Sequence, residues 1–94
     1  MELAAFDAIV YGRVQGVGFR YYARAEAARF GVSGWIRNNQ GGEVEVRAEG
    51  SPENLKQFLS WMHKGPPSAK VDSVDVHWRE PCGTYKGFVV DYGL

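Results

Sequence analysis

The sequence predicts an α+β fold in which two helices cover one face of an antiparallel sheet. Three observations support this: five segments in which apolar residues alternate, two segments in which they recur at helical spacing, and short glycine- or proline-rich joints. In chain order these segments give β-α-β-β-α-β and a short terminal strand, the order of a ferredoxin-like two-layer sandwich. A chain of 94 residues can form one such core, so we expect a single domain over residues 1–94.

The first strand and the first helix are marked by two different apolar periods. Alternation predicts a strand over residues 5–12, and helical spacing predicts a helix over residues 19–30. Gly31 is a typical helix stop. The apolar face of the strand consists of Phe6, Ala8 and Val10, and that of the helix of Phe19, Tyr22, Ala23, Ala27 and Phe30.

A β-hairpin is predicted over residues 32–49. Its strands cover residues 32–38 and 43–49, and the Asn-Gln-Gly-Gly segment at 39–42 forms the turn. The second strand of this hairpin is the third strand of the chain. It has a strict period of two, with apolar residues facing inward and charged residues facing outward. The inward residues are Val44, Val46 and Ala48, and the outward residues are Glu43, Glu45, Arg47 and Glu49.

The second helix is predicted to begin at Ser51, with the serine as N-cap and Pro52 at the first helical position. Its apolar residues fall at i, i+3, i+4 and i+7, and Gly65 ends it. Two more alternating segments, at 74–78 and 88–92, predict the last strands. The loop at 81–86 between them is the segment that we expect to be most mobile.

Composition restricts the partners of the chain. Eleven basic and eleven acidic residues cancel, so no general attraction to nucleic acid or to an anionic membrane is expected, and anion binding has to be local. The one cysteine, Cys82, cannot form an intramolecular disulfide, and the N-terminal segment lacks the basic and apolar regions of a signal peptide. We therefore expect a cytoplasmic protein that acts as a monomer, without a nucleic-acid or membrane partner.

A glycine-rich loop at residues 12–20 joins the first strand to the first helix. Its three glycines, Gly12, Gly16 and Gly18, permit positive φ, which turns several backbone N–H groups toward one point. The helix start adds a partial positive charge, and Arg20 adds a permanent one with a planar fork of donors. This pattern indicates a phosphate-binding loop; the alternative is an ordinary turn between a strand and a helix.

Two segments resemble the sequence signatures of the acylphosphatases. Residues 10–20, Val-Tyr-Gly-Arg-Val-Gln-Gly-Val-Gly-Phe-Arg, are similar to the first signature. Residues 34–38, Gly-Trp-Ile-Arg-Asn, are similar to the second, which continues through Gly41, Val44 and Gly50. The segment at 65–71 also resembles the family's link between the second helix and the fourth strand. Ile36 departs from the usual Val or Ala, and we expect only a packing adjustment there.

The resemblance implies a hydrolase that cleaves the carboxyl–phosphate bond of acyl phosphates to give a carboxylate and inorganic phosphate. It assigns catalysis to Arg20, which would clamp the phosphoryl oxygens, and to Asn38, which would orient the attacking water. It implies no cofactor and no metal. It assigns phosphate binding to Gln15, Gly16, Val17, Gly18, Phe19 and Arg20.

The chemistry of these residues agrees with that reaction. The leaving carboxylate has a conjugate acid with a pKa of about 4, so it departs without a proton from the enzyme. Positioning and charge stabilisation supply most of the rate of phosphoryl transfer. The Asn38 amide can accept from water and donate to it, and the substrate phosphate can take the proton. In a β-α-β unit the second strand of the chain is expected to return beside the first, which would bring Asn38 close to the loop.

Each candidate residue has a structural alternative. Arg20 could be a solvated arginine, although a cation at a helix start opposes the dipole, and Asn38 could be a turn former. Gln15 is expected to shape the loop, and Arg13 and Arg37 to enrich the local positive field. The two histidines, His63 and His77, lack the spacing of metal ligands, and Cys82 lacks a neighbouring base.

Two other functions are compatible with this fold. An RNA-binding module would expose aromatic residues on the open sheet face, but the acidic third strand would repel phosphates. A non-catalytic phosphate or carboxyphosphate sensor would use the same loop to hold a ligand. Rapid release of phosphate from benzoyl phosphate would favour the enzyme, and tight binding without turnover would favour the sensor.

Overall fold

The computed structural model describes residues 2–92. Over this range the element order confirms the β-α-β-β-α-β prediction with its short terminal strand. The elements are β1 (Ala4–Arg13), α1 (Phe19–Phe30), β2 (Ser33–Asn38), β3 (Val44–Gly50), α2 (Pro52–Lys64), β4 (Lys70–Arg79) and β5 (Phe88–Val90). No helix in this part of the chain is both long and apolar enough to cross a membrane.

The five strands form one sheet in the order β4-β1-β3-β2-β5. Strand β3 pairs antiparallel with both β1 and β2, so the expectation that β2 lies directly beside β1 is wrong. The consequence for the site is small, because two strands that are both antiparallel to β3 run in the same direction. The carboxyl ends of β1 and β2 therefore lie at the same end of the sheet.

The last strand departs from the predicted antiparallel sheet, because β5 pairs parallel with β2. The segment between β4 and β5 explains this direction. Strand β4 ends opposite the start of β1, with Arg79 paired to Ala5, and β5 starts beside Gly34 at the beginning of β2. The connection stays at one end of the sheet, so β5 has to begin where β2 begins.

The core lies between the sheet and the two helices, as predicted. Strand residues Phe6, Val10 and Val46 are fully buried, and so is Ile36, whose larger side chain is accommodated within the core. Helix α1 contributes Phe19, Ala23 and Ala27, and helix α2 contributes Leu55, Phe58 and Met62. The Ser51 hydroxyl accepts a hydrogen bond from the Asn54 N–H at 3.2 Å, as expected of an N-cap.

One residue of β3 is buried although the alternation places it on the outer face of the sheet. The pattern predicts an outward, solvated Glu49, but this residue is only 2 % exposed. Its carboxylate accepts hydrogen bonds from the backbone N–H groups of Cys82 (2.8 Å) and Gly83 (3.0 Å). The 81–86 loop therefore covers Glu49 and is anchored at its start. Burial raises the pKa of Glu49, but these hydrogen bonds and the nearby Arg47 outweigh burial and hold the pKa below its usual value.

Candidate active site

A cleft with a volume of about 170 Å³ opens where the carboxyl ends of β1, β2 and β5 meet the start of α1. It brings together residues that are far apart in the sequence. Its lining consists of Val14, Gly16, Gly18, Phe19, Arg20, Tyr21, Arg24, Asn38, Val90 and Tyr92. The volume is several times the roughly 30 Å³ that one water occupies in the liquid, which suits a small oxyanion and part of an attached group.

The loop before α1 presents backbone donors to this cleft. Gly16 (φ 73°) and Gly18 (φ 79°) are left-handed, a conformation that a side chain would strain. Gly18 is the N-cap of α1, and no side chain caps the helix start. The first N–H groups of a helix point toward its N-terminus and have no intrahelical acceptor, so they are available to an anion in the cleft.

The Arg20 side chain is half-buried beside these donors. Its guanidinium lies over the ring of Tyr92, 5.1 Å from the centroid. Within residues 2–92 no ion pair joins Arg20 to a carboxylate. The first turn of α1 contains no acidic residue. The cleft therefore has a concentrated positive charge at the place where the helix dipole is also positive.

Asn38 reaches the same cleft from the end of β2. Its side-chain oxygen is buried, and in the described part of the chain it has no hydrogen-bond donor. An unsatisfied buried acceptor costs about 1–3 kcal/mol, and a hydrogen bond from water relieves that cost. Asn38, to which the resemblance assigns the orientation of water, thus carries an oxygen that requires a hydrogen-bond donor.

Gln15 lies next to the cleft but directs its side chain away from it. Its amide nitrogen donates to the carbonyl oxygens of Asn39 (2.7 Å) and Glu43 (2.9 Å). These bonds join the glycine-rich loop to the β2–β3 hairpin that carries Asn38. The sequence predicts that Gln15 shapes the loop, and the structure shows the partners through which it does so. No local sequence pattern could have identified these partners.

The structure separates the predicted phosphate-binding residues into two groups. Gly16, Gly18, Phe19 and Arg20 line the cleft, whereas Gln15 and Val17 do not. Val17 is half-buried and packs against the core. Val17 therefore holds the loop against the core, while Gly16 and Gly18 face the cleft.

The other candidates have partners or lie outside the cleft. Arg37 binds Glu45 through Nη2 at 3.0 Å and lies over Trp35, so its charge is balanced rather than added to the cleft. Arg13 is exposed at the end of β1. In the part of the chain that the structure describes, His, Cys, Asp and Glu form no group of three or more that could hold a metal ion.

Sequence reasoning does not identify four of the cleft residues, Tyr21, Arg24, Val90 and Tyr92. Arg24 has a weak signal, since it lies four residues after Arg20 and therefore on the same side of the helix. Val90 and Tyr92 depend on the pairing of β5 with β2, which is a long-range feature.

The family model for acylphosphatases matches residues 6–90 of the sequence. The chain belongs to the acylphosphatase family. A curated acylphosphatase of Thermococcus kodakarensis is 51% identical over 86% of this chain and 88% of its own length. The crystal structure of the acylphosphatase from Bacillus subtilis is 36% identical and covers 97% of this chain and 100% of its own, with a TM-score of 0.91. The predicted family and fold are confirmed.

A domain with a similar fold also forms part of a much longer protein. The crystal structure of full-length HypF in the phosphate- and nucleotide-bound form is 28% identical, with a TM-score of 0.87. The match covers 96% of this chain and only 12% of that protein. By contrast, the Thermococcus and Bacillus acylphosphatases align over most of their own length. The predicted activity is therefore confirmed: the chain is an enzyme that hydrolyses acyl phosphates, with carboxylate and inorganic phosphate as products.

Proposed function

We propose that residues 15–20 and Arg20 hold the phosphoryl group of the substrate and that Asn38 orients the water that attacks it. One observation carries this proposal: Arg20, the uncapped start of α1 and the unpartnered Asn38 oxygen converge on one cleft from two separate elements. Of the loop residues, Gln15 and Val17 act by holding its conformation, and Gly16, Gly18 and Phe19 face the ligand.

The reaction needs only these groups. Backbone N–H groups and the Arg20 fork bind the phosphoryl oxygens and stabilise the charge that they carry in the transition state. The Asn38 oxygen accepts a hydrogen bond from water and so directs its lone pair toward phosphorus. The water oxygen bonds to phosphorus as the bond from phosphorus to the acyl oxygen breaks. The electron pair leaves with the carboxylate, and the proton of the water passes to a phosphate oxygen.

The test is the replacement of Arg20 by Gln, with Arg29→Gln as a matched control on the same helix. Arg29 lies in the last turn of α1, away from the cleft. We expect Arg20→Gln to lower kcat/KM for benzoyl phosphate by about a hundredfold or more, since loss of one transition-state donor already costs that much. The same variant should also bind inorganic phosphate more weakly. Activity of Arg20→Gln within a few-fold of wild type, or an equal loss in Arg29→Gln, would contradict the proposal.

We also propose that hydrolysis requires no metal. The carboxylate leaving group and the donors in the cleft account for the charge stabilisation that a metal would otherwise supply. The rate of phosphate release from benzoyl phosphate should be the same before and after dialysis against EDTA. Loss of activity that returns on addition of Mg²⁺ or Zn²⁺ would overturn this expectation.

The proposal extends to the whole molecule. We infer that residues 1–94 form one domain that acts as a monomer in the cytoplasm. The cleft is formed by residues of a single chain, which supports a monomer, and the family match over residues 6–90 supports one domain. A single cysteine requires no oxidising compartment.

A further inference from the structure

We infer that Arg24 adapts the cleft to acyl phosphates whose acyl group carries a second anionic group. This inference rests on the proposed function, because it assumes that the phosphoryl group is bound at Arg20. It concerns the other end of the substrate, for which the family assignment gives no preference.

The position of Arg24 fits such a group. It lies four residues after Arg20 in α1, and both residues line the cleft. Residues at this spacing are neighbours on one side of a helix, and four residues advance about 6 Å along the axis. A substrate held by its phosphoryl group at Arg20 would reach Arg24 with an anionic group roughly one helical turn away.

The charges around the cleft support an anion rather than a structural ion pair at Arg24. Two arginines at this spacing repel each other by a few tenths of a kcal/mol in an isolated helix. Arg29 in the same helix pairs with Glu26 at 3.6 Å, whereas Arg24 forms no ion pair within residues 2–92. Among residues 2–92, those that line the cleft include no carboxylate, and Asp91 lies between Val90 and Tyr92 without lining it.

The role that follows is specificity rather than catalysis. The same bonds form and break as for any acyl phosphate: water bonds to phosphorus, and the acyl oxygen leaves as a carboxylate. The released acid then carries its original anionic group as well. Arg24 is exposed, so water and salt screen its attraction for that group. We expect a preference of about 1.5- to fivefold, the size that one exposed charge pair gives.

The experiment compares two substrates that differ only in charge, 3-carboxybenzoyl phosphate and 3-carbamoylbenzoyl phosphate. The measured quantity is the ratio of their kcat/KM values in the wild type, in Arg24→Gln and in Arg29→Gln. A ratio cancels any general effect of a substitution on folding or on phosphoryl binding. We expect Arg24→Gln to reduce the ratio about 1.5- to fivefold and Arg29→Gln to leave it unchanged. The wild-type ratio should also fall as the ionic strength rises.

Two results would overturn the inference in different ways. Hydrolysis of both substrates with a ratio that Arg24→Gln does not change would remove the role of Arg24 and leave the proposed function intact. Failure of the wild type to hydrolyse either substrate or benzoyl phosphate would remove the proposed function and this inference with it. Charge reversal in Arg24→Glu should reduce the ratio below that of Arg24→Gln, and an unchanged ratio there would also count against the inference.

Discussion

At the scale of single residues, the role that we propose for Asn38 requires an amide and no strong base. Its side chain cannot remove a proton from water, but its oxygen can accept one hydrogen bond and fix the direction of attack. The structure buries that oxygen without a donor in the described part of the chain. Asn38 lines the same cleft as Arg20, and its unpartnered oxygen supports the role that we propose.

The unsatisfied oxygen leads to a prediction for Asn38→Ala. The rate constant kcat for benzoyl phosphate should fall by about a hundredfold, and KM should change much less, because the lost interaction acts mainly in the transition state. Asn39→Ala is the matched control, since the next residue joins the hairpin through its backbone. Steady-state kinetics of the two variants make the comparison. A rise in KM at constant kcat would instead assign Asn38 to substrate binding.

The residues of the site differ in how far the sequence can predict them. Arg20 and Asn38 belong to the two family signatures, so the resemblance alone is enough to suggest them. The partners of Gln15 and the place of Tyr92 depend on which hairpin or strand lies opposite, and no local pattern contains that information. The prediction for Glu49 is wrong because alternation assumes open solvent on the outer face, and the 81–86 loop covers that face at this point.

At the scale of secondary-structure elements, the hydrogen bonds of Gln15 connect two parts of the site. The loop before α1 binds the phosphoryl group in our proposal, and the β2–β3 hairpin carries Asn38. The two Gln15 bonds, to Asn39 and Glu43, are the side-chain bonds that fix the distance between them. We therefore propose that Gln15 is a positioning residue, which acts on the reaction through the elements that it joins.

We predict that Gln15→Ala lowers the free energy of unfolding by about 1–2 kcal/mol, the cost of two lost hydrogen bonds, and lowers kcat by about tenfold. Gln40→Ala, at an exposed glutamine in the same hairpin, should change neither. If Gln15 acts through Asn38, removing it from the Asn38→Ala variant should reduce kcat little further. Urea unfolding and kinetics of the double-mutant cycle test this. Fully additive effects on kcat would reject the positioning role.

The bounds of the helices are easier to predict than the arrangement of the strands. Local chemistry marks these bounds. Helix α1 ends at Gly31, and helix α2 begins after the N-cap Ser51 with Pro52 and ends at Gly65. The order β4-β1-β3-β2-β5 depends on pairings between strands that are distant in sequence. The direction of β5 follows from a connection that stays at one end of the sheet, which cannot be deduced from its three residues.

At the scale of the whole molecule, the two ends of the sheet have separate tasks. One end carries the cleft, where a positive charge, uncapped backbone donors and an unsatisfied amide oxygen favour ligand binding. At the other end Glu49 holds the loop that connects β4 to β5. That loop fixes the start of β5, and β5 in turn supplies Val90 to the cleft. Because β5 is also held by its pairing with β2, we expect substitutions at the Glu49 end to change stability more than activity.

Glu49 provides the test of this division through acid stability. Its pKa is lower in the folded state, so the stability that it contributes is present above its unfolded pKa, near 4.5, and is lost as the pH falls through the lowered value. Glu49→Gln should lower the free energy of unfolding at pH 7 by about 1–2 kcal/mol, since two charge-assisted bonds become neutral ones. The difference from wild type should shrink as the pH falls from 5 to 3, and kcat for benzoyl phosphate at pH 7 should not change. Urea unfolding at several pH values measures the first effect, with Glu80→Gln as the control at an exposed glutamate that forms no ion pair within residues 2–92. A difference in stability that persists at pH 3 would show that Glu49 stabilises the fold by packing, and not by its charge.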